Sequence, residues 1–143
     1  MATSFGARIS ERVATYKKRF EATFKTSAQD MAEEITLPVA KGGRMRVKTG
    51  FLRGSLMGST AAMPKINPDG RPPSDAEDES FGLDEGAIEA VIIGAQIGET
   101  IYLGFTANYA RPREYKDGFV EGAALNWQAT VSKNAKKAIQ AFP

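Results

Sequence analysis

Residues 5–35 read FGARISERVATYKKRFEATFKTSAQDMAEEI, and the fold of the chain turns on them. Phe5, Ile9, Val13, Tyr16, Phe20, Phe24, Ala28, Met31 and Ile35 recur at steps of three or four. That period sets them in a single stripe along a helix. No proline interrupts the run, and Gly6 sits near its start, where a glycine costs least. Thr3 or Ser4 can cap it by accepting a backbone N–H. At about 1.5 Å per residue the helix is roughly 45 Å long, more than the core of one small domain covers. Part of the stripe is therefore expected to meet another subunit, unless the helix bends or breaks. The plainer expectation is that it is the main core helix.

Downstream, Pro38 and the Gly42-Gly43 pair stop the helix and open a loop. A short second helix is expected next, with Thr49 as cap and Phe51, Leu52 and Leu56 on its buried side. Ser55 to Met63 reads as a strand of small residues or an extended arm. From residue 64 to 86 the chain holds four prolines, three glycines and seven carboxylates (Asp69, Asp75, Glu77, Asp78, Glu79, Asp84, Glu85) against two basic residues. A core is hard to build from that composition, which predicts a long exposed acidic loop, mobile unless a partner orders it. Ala87 to Phe105 reads as an antiparallel hairpin. Val91-Ile92-Ile93 forms one strand, Gly94 to Glu99 the turn, and Thr100 to Leu103 the return strand. After a loop at Arg111-Pro112, Val120, Ala124, Trp127, Val131, Ala135, Ala138 and Phe142 give a final helix, with Lys133, Lys136 and Lys137 toward its end. The expected fold is one α+β domain over residues 1–143, its long N-terminal and C-terminal helices packed on a small antiparallel sheet with a long acidic loop.

At 143 residues, 42% hydrophobic and 25% charged, the chain has the composition of a single globular domain. No apolar run is long enough to span a membrane, and the amino terminus lacks the pattern of a secretory signal, so no membrane partner is expected. Cysteine and histidine are both absent. Their absence removes disulfides, thiol chemistry, every triad built on histidine and the usual zinc and haem sites. The net charge of +2 requires no polyanionic partner.

Several segments approach a chemical motif and miss it. Gly42 to Thr49 ends like a phosphate loop, but Val47 occupies the position of the second glycine, where a side chain blocks the backbone's approach to phosphate. Lys48-Thr49-Gly50 matches a β-lactamase signature, yet no Ser-x-x-Lys supplies a nucleophile. Asp75, Glu77 and Glu79 have the opening spacing of a calcium loop, but Ser80 replaces its turn glycine and Gly86 its bidentate glutamate. A pair of carboxylates would suffice for a glycosidase, and Glu114 with Glu121 could line a cleft, but most of the acids crowd the loop, where no separation is fixed. The expectation is a protein that is not an enzyme, with no catalytic residue, metal or cofactor.

Charge is more informative. Lys41, Arg44, Arg46, Lys48 and Arg53 fall within thirteen residues that hold no acid. Such a patch can meet DNA phosphate without reading sequence. With an acidic loop on the same chain, it can equally pair one subunit head-to-tail with the next. The modest net charge favours subunit pairing. Arg44, Arg46, Lys48 and Arg53 are therefore candidates for a DNA channel or a subunit interface. The acids Asp75, Glu77, Asp78 and Glu79 are candidates for a partner interface. So are Tyr109, Arg111, Arg113, Glu114 and Tyr115, because tyrosine and arginine are enriched at contact hot spots. The other aromatics nearby (Tyr102, Phe105, Phe119, Trp127) are expected in the core.

Two stretches resemble a known family. The first is Val47-Lys48-Thr49-Gly50-Phe51-Leu52-Arg53-Gly54-Ser55-Leu56, a Thr-Gly-x-Leu-Arg-x-Ser-Leu pattern after a long helix. The second runs from Ile101-Tyr102-Leu103-Gly104-Phe105 through Asn108-Tyr109-Ala110 to Arg113-Glu114-Tyr115, with a helix opening at Phe119-Val120. Together they resemble the neck or tail-completion (minor tail component) proteins of long-tailed bacteriophages, in which the Tyr-Ala step closes a strand and a glutamate, an aromatic and a glycine lead to the last helix. Here Lys116-Asp117 separate Tyr115 from Gly118, a departure from that pattern. The resemblance implies a non-enzymatic virion protein, made in the bacterial cytoplasm, that forms a ring of six at the head–tail junction. Such a connector encloses the double-stranded DNA passing through its lumen. It contacts a head-completion protein on the portal side and the tail terminator or tail tube protein on the other. A tail terminator ring capping the tube is the alternative within this class, and a small non-specific DNA-binding module the alternative outside it.

Overall fold

The computed structural model describes residues 4–143. Thr3, one of the two cap candidates, lies outside the described residues. Ser4 Oγ accepts the Ala7 N–H at 3.1 Å and starts α1 (Phe5–Thr36), which runs unbroken to an extended Leu37 before Pro38. The core takes only the second half of this helix: Ser27, Ala28, Ala32, Ile35 and Thr36 are buried. The side chains of Phe5, Ile9, Val13, Tyr16 and Phe20 remain 45–73% exposed.

After α1 the chain doubles back. Val39 N–H donates to Met45 O, and Met45 N–H to Leu37 O, which buries Met45 completely. A single helical turn, α2 (Phe51–Gly54), leads into β1 (Leu56–Ser59). Residues 60–84 hold no helix or strand, but the backbone is tied at several points. Asn67 N–H donates to Thr106 O, Asn108 N–H to Gly70 O, Glu79 N–H to Lys48 O and Phe81 N–H to Thr49 O. The acidic segment also ends earlier than expected. Asp84 caps α3 (Glu85–Gly94) by accepting the Ala87 N–H, and Glu85 sits in the first turn, where the helix dipole favours it.

Helix α3 corrects the expected hairpin. The Val91-Ile92-Ile93 run is helical, with Ile88 and Ile92 buried one turn apart. A short apolar run suits a strand and a buried helix equally, and here Asp84 decides between them by capping. The return strand exists as β2 (Tyr102–Phe105), but its antiparallel partner is β1, with Leu56 opposite Phe105 and Ser59 opposite Tyr102. These two strands are the whole sheet among the described residues.

The expected loop at Arg111-Pro112 is instead α4 (Ala110–Asp117). Pro112 is its third residue, where the N–H it lacks would have no helical partner. Gly118, at φ 64°, turns the chain into α5 (Phe119–Leu125), and α6 (Trp127–Ala141) follows Asn126, so the expected last helix is broken in two. α6 packs antiparallel along α1 rather than chiefly on the sheet. Asn126 reaches Glu34, Asn134 Nδ2 donates to Ser27 Oγ (3.1 Å) and Asp30 Oδ2 (2.9 Å), and Arg19 Nε donates to the Phe142 carbonyl. α3 contacts both α1 and β1. The architecture is thus α+β, a helical body carrying one two-stranded antiparallel ribbon, with Phe105 and Phe119 packed edge to face at its centre.

The turn before α2 is a tight joint. Gly50 has φ +84°, and a Cβ there would lie 2.1 Å from the Phe81 carbonyl oxygen. Gly50→Ala is expected to cost at least about 2 kcal/mol, from the left-handed backbone and the collision together. Gly42, also left-handed but facing open space, should cost only about 1 kcal/mol on the same change. Urea midpoints of the two variants check the difference.

Candidate functional site

The segment 46–53 forms one side of an open cleft of about 550 Å³. Pro72, Pro73 and Ser74 close the opposite side, and Tyr109 and Arg113 of the α4 region reach in from the third. The left-handed turn at Gly50 redirects the chain within the lining, leaving Lys48 exposed and Thr49 and Phe51 half-buried. Thr49 Oγ1 accepts the Phe51 N–H, and the Phe51 ring packs on Phe81 and stacks with Tyr109 at 6.4 Å between centroids.

Candidates far apart in sequence therefore share one site: Arg46, Lys48 and Arg53 from the basic stretch, Tyr109 and Arg113 from the aromatic one. They are not equivalent. Arg53 is committed to the fold, its Nε donating to the Thr36 carbonyl at 2.9 Å and its Nη2 lying 3.5 Å from Glu85. Arg113 and Arg46 converge on Asp117, at 2.7 and 3.7 Å, and the Asp117 side chain is almost completely buried. One carboxylate thus balances two guanidinium groups. Lys48 is exposed and makes no ion pair among the described residues. The cleft is left with an excess of positive charge beside an aromatic floor. That combination suits a carboxylate or phosphate carried on a larger partner.

Other candidates fall elsewhere. Arg44 lies outside the cleft, against Gly122, and pairs with Glu34 at 3.4 Å. Glu114 is taken up by the fold: its two carboxylate oxygens accept the N–H groups of Val120 and Glu121 at 2.8 Å each, closing the first turn of α5. Tyr115 is 93% exposed and Arg111 is exposed beside it. Asp75, Glu77, Asp78 and Glu79 are exposed and join no ion pair among the described residues, although Glu79 is bonded through its backbone to Lys48. Glu79 has φ +56°, a left-handed backbone that this hydrogen bond helps to hold. The two charged segments are thus neighbours whose side chains do not neutralise each other.

Sequence reasoning missed Asp117, though its spacing four residues after Arg113 on a helix was a readable signal. It also missed an apolar groove between α1, the approach to β2, and α5–α6, where Trp127 was expected in the core and is 39% exposed. Among the described residues no three His, Cys, Asp or Glu side chains cluster to hold a metal, and no helix is long and apolar enough to cross a membrane. Compared with models of protein families, with curated proteins and with solved structures, the chain matches none.

Burial pushes the Tyr109 phenol above its ordinary pKa of 10.0, while a hydrogen bond from the Leu52 backbone and the Arg113 charge pull it back. Below pH 10 the phenol is neutral in folded and unfolded chains alike. Above it the unfolded chain ionises first, so stability falls as pH rises. Tyr109→Phe is expected to remove one late step from the phenolate absorbance titration and to flatten the alkaline loss of stability. An unchanged titration would show that Tyr109 is not the late-ionising group.

Proposed function

We propose that this chain is a non-enzymatic structural subunit of a phage virion, one of about six in a ring at the head–tail junction around the DNA channel. The observation that carries the reading is the first half of α1, where Phe5, Ile9, Val13, Tyr16 and Phe20 stand in water along one face. Side chains of this size and exposure leave on the order of 500 Å² of apolar surface open, at the upper end for a monomer's largest patch. At about 25 cal/mol per Å², covering it contributes roughly 12 kcal/mol, of the same order as the cost of association. A surface of that size asks for a permanent neighbour, and a ring supplies one to every subunit.

The place of the ring is carried by the resemblance, and one structural fact supports treating its two stretches as a unit. β1 and β2 bring them together, Thr106 N–H and Oγ1–H both donate to the Ser55 carbonyl at 3.1 Å, and Tyr109 stacks on Phe51. The Tyr109-Ala110 step follows the strand by a turn and begins α4. In this reading the acidic segment ahead of α3, with the Arg113 to Phe119 region, contacts the head-completion protein or the tail terminator or tube. Lys48 and Arg46 face the lumen or the next subunit. A lumen-facing set must hold DNA weakly, since tight binding would obstruct its passage.

Light scattering on the purified chain tests the assembly. A mass near six subunits that persists at high salt is expected, because salt weakens charge contacts and not apolar ones. The competing reading, a DNA-binding module, is favoured by the excess positive charge of the cleft. A monomer that binds short duplex DNA at low salt, and loses that binding in the Arg44→Ala, Arg46→Ala, Lys48→Ala triple variant, would replace the ring by that module.

A further inference from the structure

We infer that the first half of α1 from one copy seats in the apolar groove of a second copy. The inference rests on the self-assembly part of the reading above and adds the contact that makes it. The groove holds about 600 Å³. Its walls are Phe24 and Met31 of α1, Ile101 and Leu103 of the β2 approach, and Val120 and Trp127 of α5–α6. Val120, Trp127 and Met63 in its lining are 39–56% exposed, so none of the described residues fills it.

The chain's own helix cannot do so. α6 accompanies α1 only as far as Arg19, where the Phe142 carbonyl accepts its Nε–H. Residues 5–18 continue past that point, about 21 Å of helix at 1.5 Å per residue. Ile97, from the loop after α3, lines a shallow pocket with Val13, Tyr16 and Phe20, while Phe5 and Ile9 lie beyond that pocket. Because α1 is one unbroken helix and its second half already forms a wall of the groove, its first half leads away from that groove. The occupant is not the first half of this chain's own α1.

A second copy brings a fitting one. The projecting segment offers anchors at Phe5, Ile9, Val13 and Tyr16, the spacing by which an amphipathic helix fills a groove. Arg8, Arg12, Lys17 and Lys18 lie on this segment against the single acid Glu11, and the one charged residue lining the groove is Glu99. Docking covers much of the stripe, on the order of 500 Å² of apolar surface, together with the smaller apolar area of the groove. Each chain carries one helix and one groove. Passing the helix to the next copy around a ring satisfies both, and so does exchange between two copies.

The chain has no cysteine, so introduced thiols report the contact cleanly. A copy carrying Val13→Cys and a size-tagged copy carrying Ala124→Cys are mixed and joined with a short bis-thiol linker. The expected product is the mixed pair; its absence, or products joining only Val13→Cys to itself, overturns the docking. Val13→Asp, at a position outside the core, is expected to weaken association at least about 100-fold while leaving the far-ultraviolet spectrum unchanged. If Val13→Asp assembles like the parent chain, the docking fails and the ring survives. If the mixed pair forms within a particle of only two copies, the docking stands and the ring fails. A parent chain that stays monomeric at every concentration overturns the docking and leaves only a ring templated by its neighbours.

Discussion

The body of this protein depends on the turn at Gly50. Its left-handed backbone lets the Phe81 carbonyl approach where a side chain would stand, and residues 51–56 then run as a fixed sequence of tasks. Phe51 forms the cleft floor, Leu52 and Leu56 are buried in the core, and Arg53 holds the end of α1 through the Thr36 carbonyl. At Gly54 a Cβ would collide with the Gly82 carbonyl, so the segment after the acidic stretch is pressed close here as well. Ser55 offers its carbonyl to Thr106 and thereby sets the register of the ribbon. A motif of common residues is explained position by position as a structural joint, which is a stronger statement than its spacing alone allows.

Around that joint the molecule divides its surfaces. α1, α2, α3, α5 and the ribbon enclose a core of modest size, much of it built from alanines that let helices approach closely. Two apolar surfaces are left outside it, the projecting stripe of α1 and the groove that its second half lines. Neither is explained by folding, since a single chain gains nothing by holding both open to water. The charged cleft sits on a different part of the body, built on the 46–53 segment and α4. A contact between copies and a contact with another partner could therefore form without competing for the same residues.

Much of this was legible in the residues. The long helix with its Ser4 cap, a short helix near Phe51 and a strand near Ser55 follow from local signals, but Gly50 and not Thr49 stands at the cap of α2, Leu56 belongs to β1, and the strand ends at Ser59 rather than Met63. The errors came where local signals were balanced. Val91-Ile92-Ile93 suits a strand or a buried helix, and the outcome was decided by Asp84 and by the faces that α1 and β1 offered to α3. Pro112 reads as a break, yet in the first turn of a helix it removes no bond. Of the site, the basic stretch and the Tyr109–Arg113 region were visible separately. Their meeting across Phe51, and the commitment of Arg53 and Glu114 to the backbone, were not.

By itself, then, the sequence determined the length and apolar face of α1, the lack of thiol and imidazole chemistry, and the separation of basic and acidic segments. Each is a property of residue type and short-range spacing, which no later packing can alter. Only the tertiary structure decided that β2 pairs with β1, that Arg46 and Arg113 share Asp117, and that α6 stops at Arg19 and leaves the first half of α1 uncovered. Those outcomes rest on contacts between residues tens of positions apart. They are selected by which surfaces can be buried together, and that competition is settled over the whole chain at once.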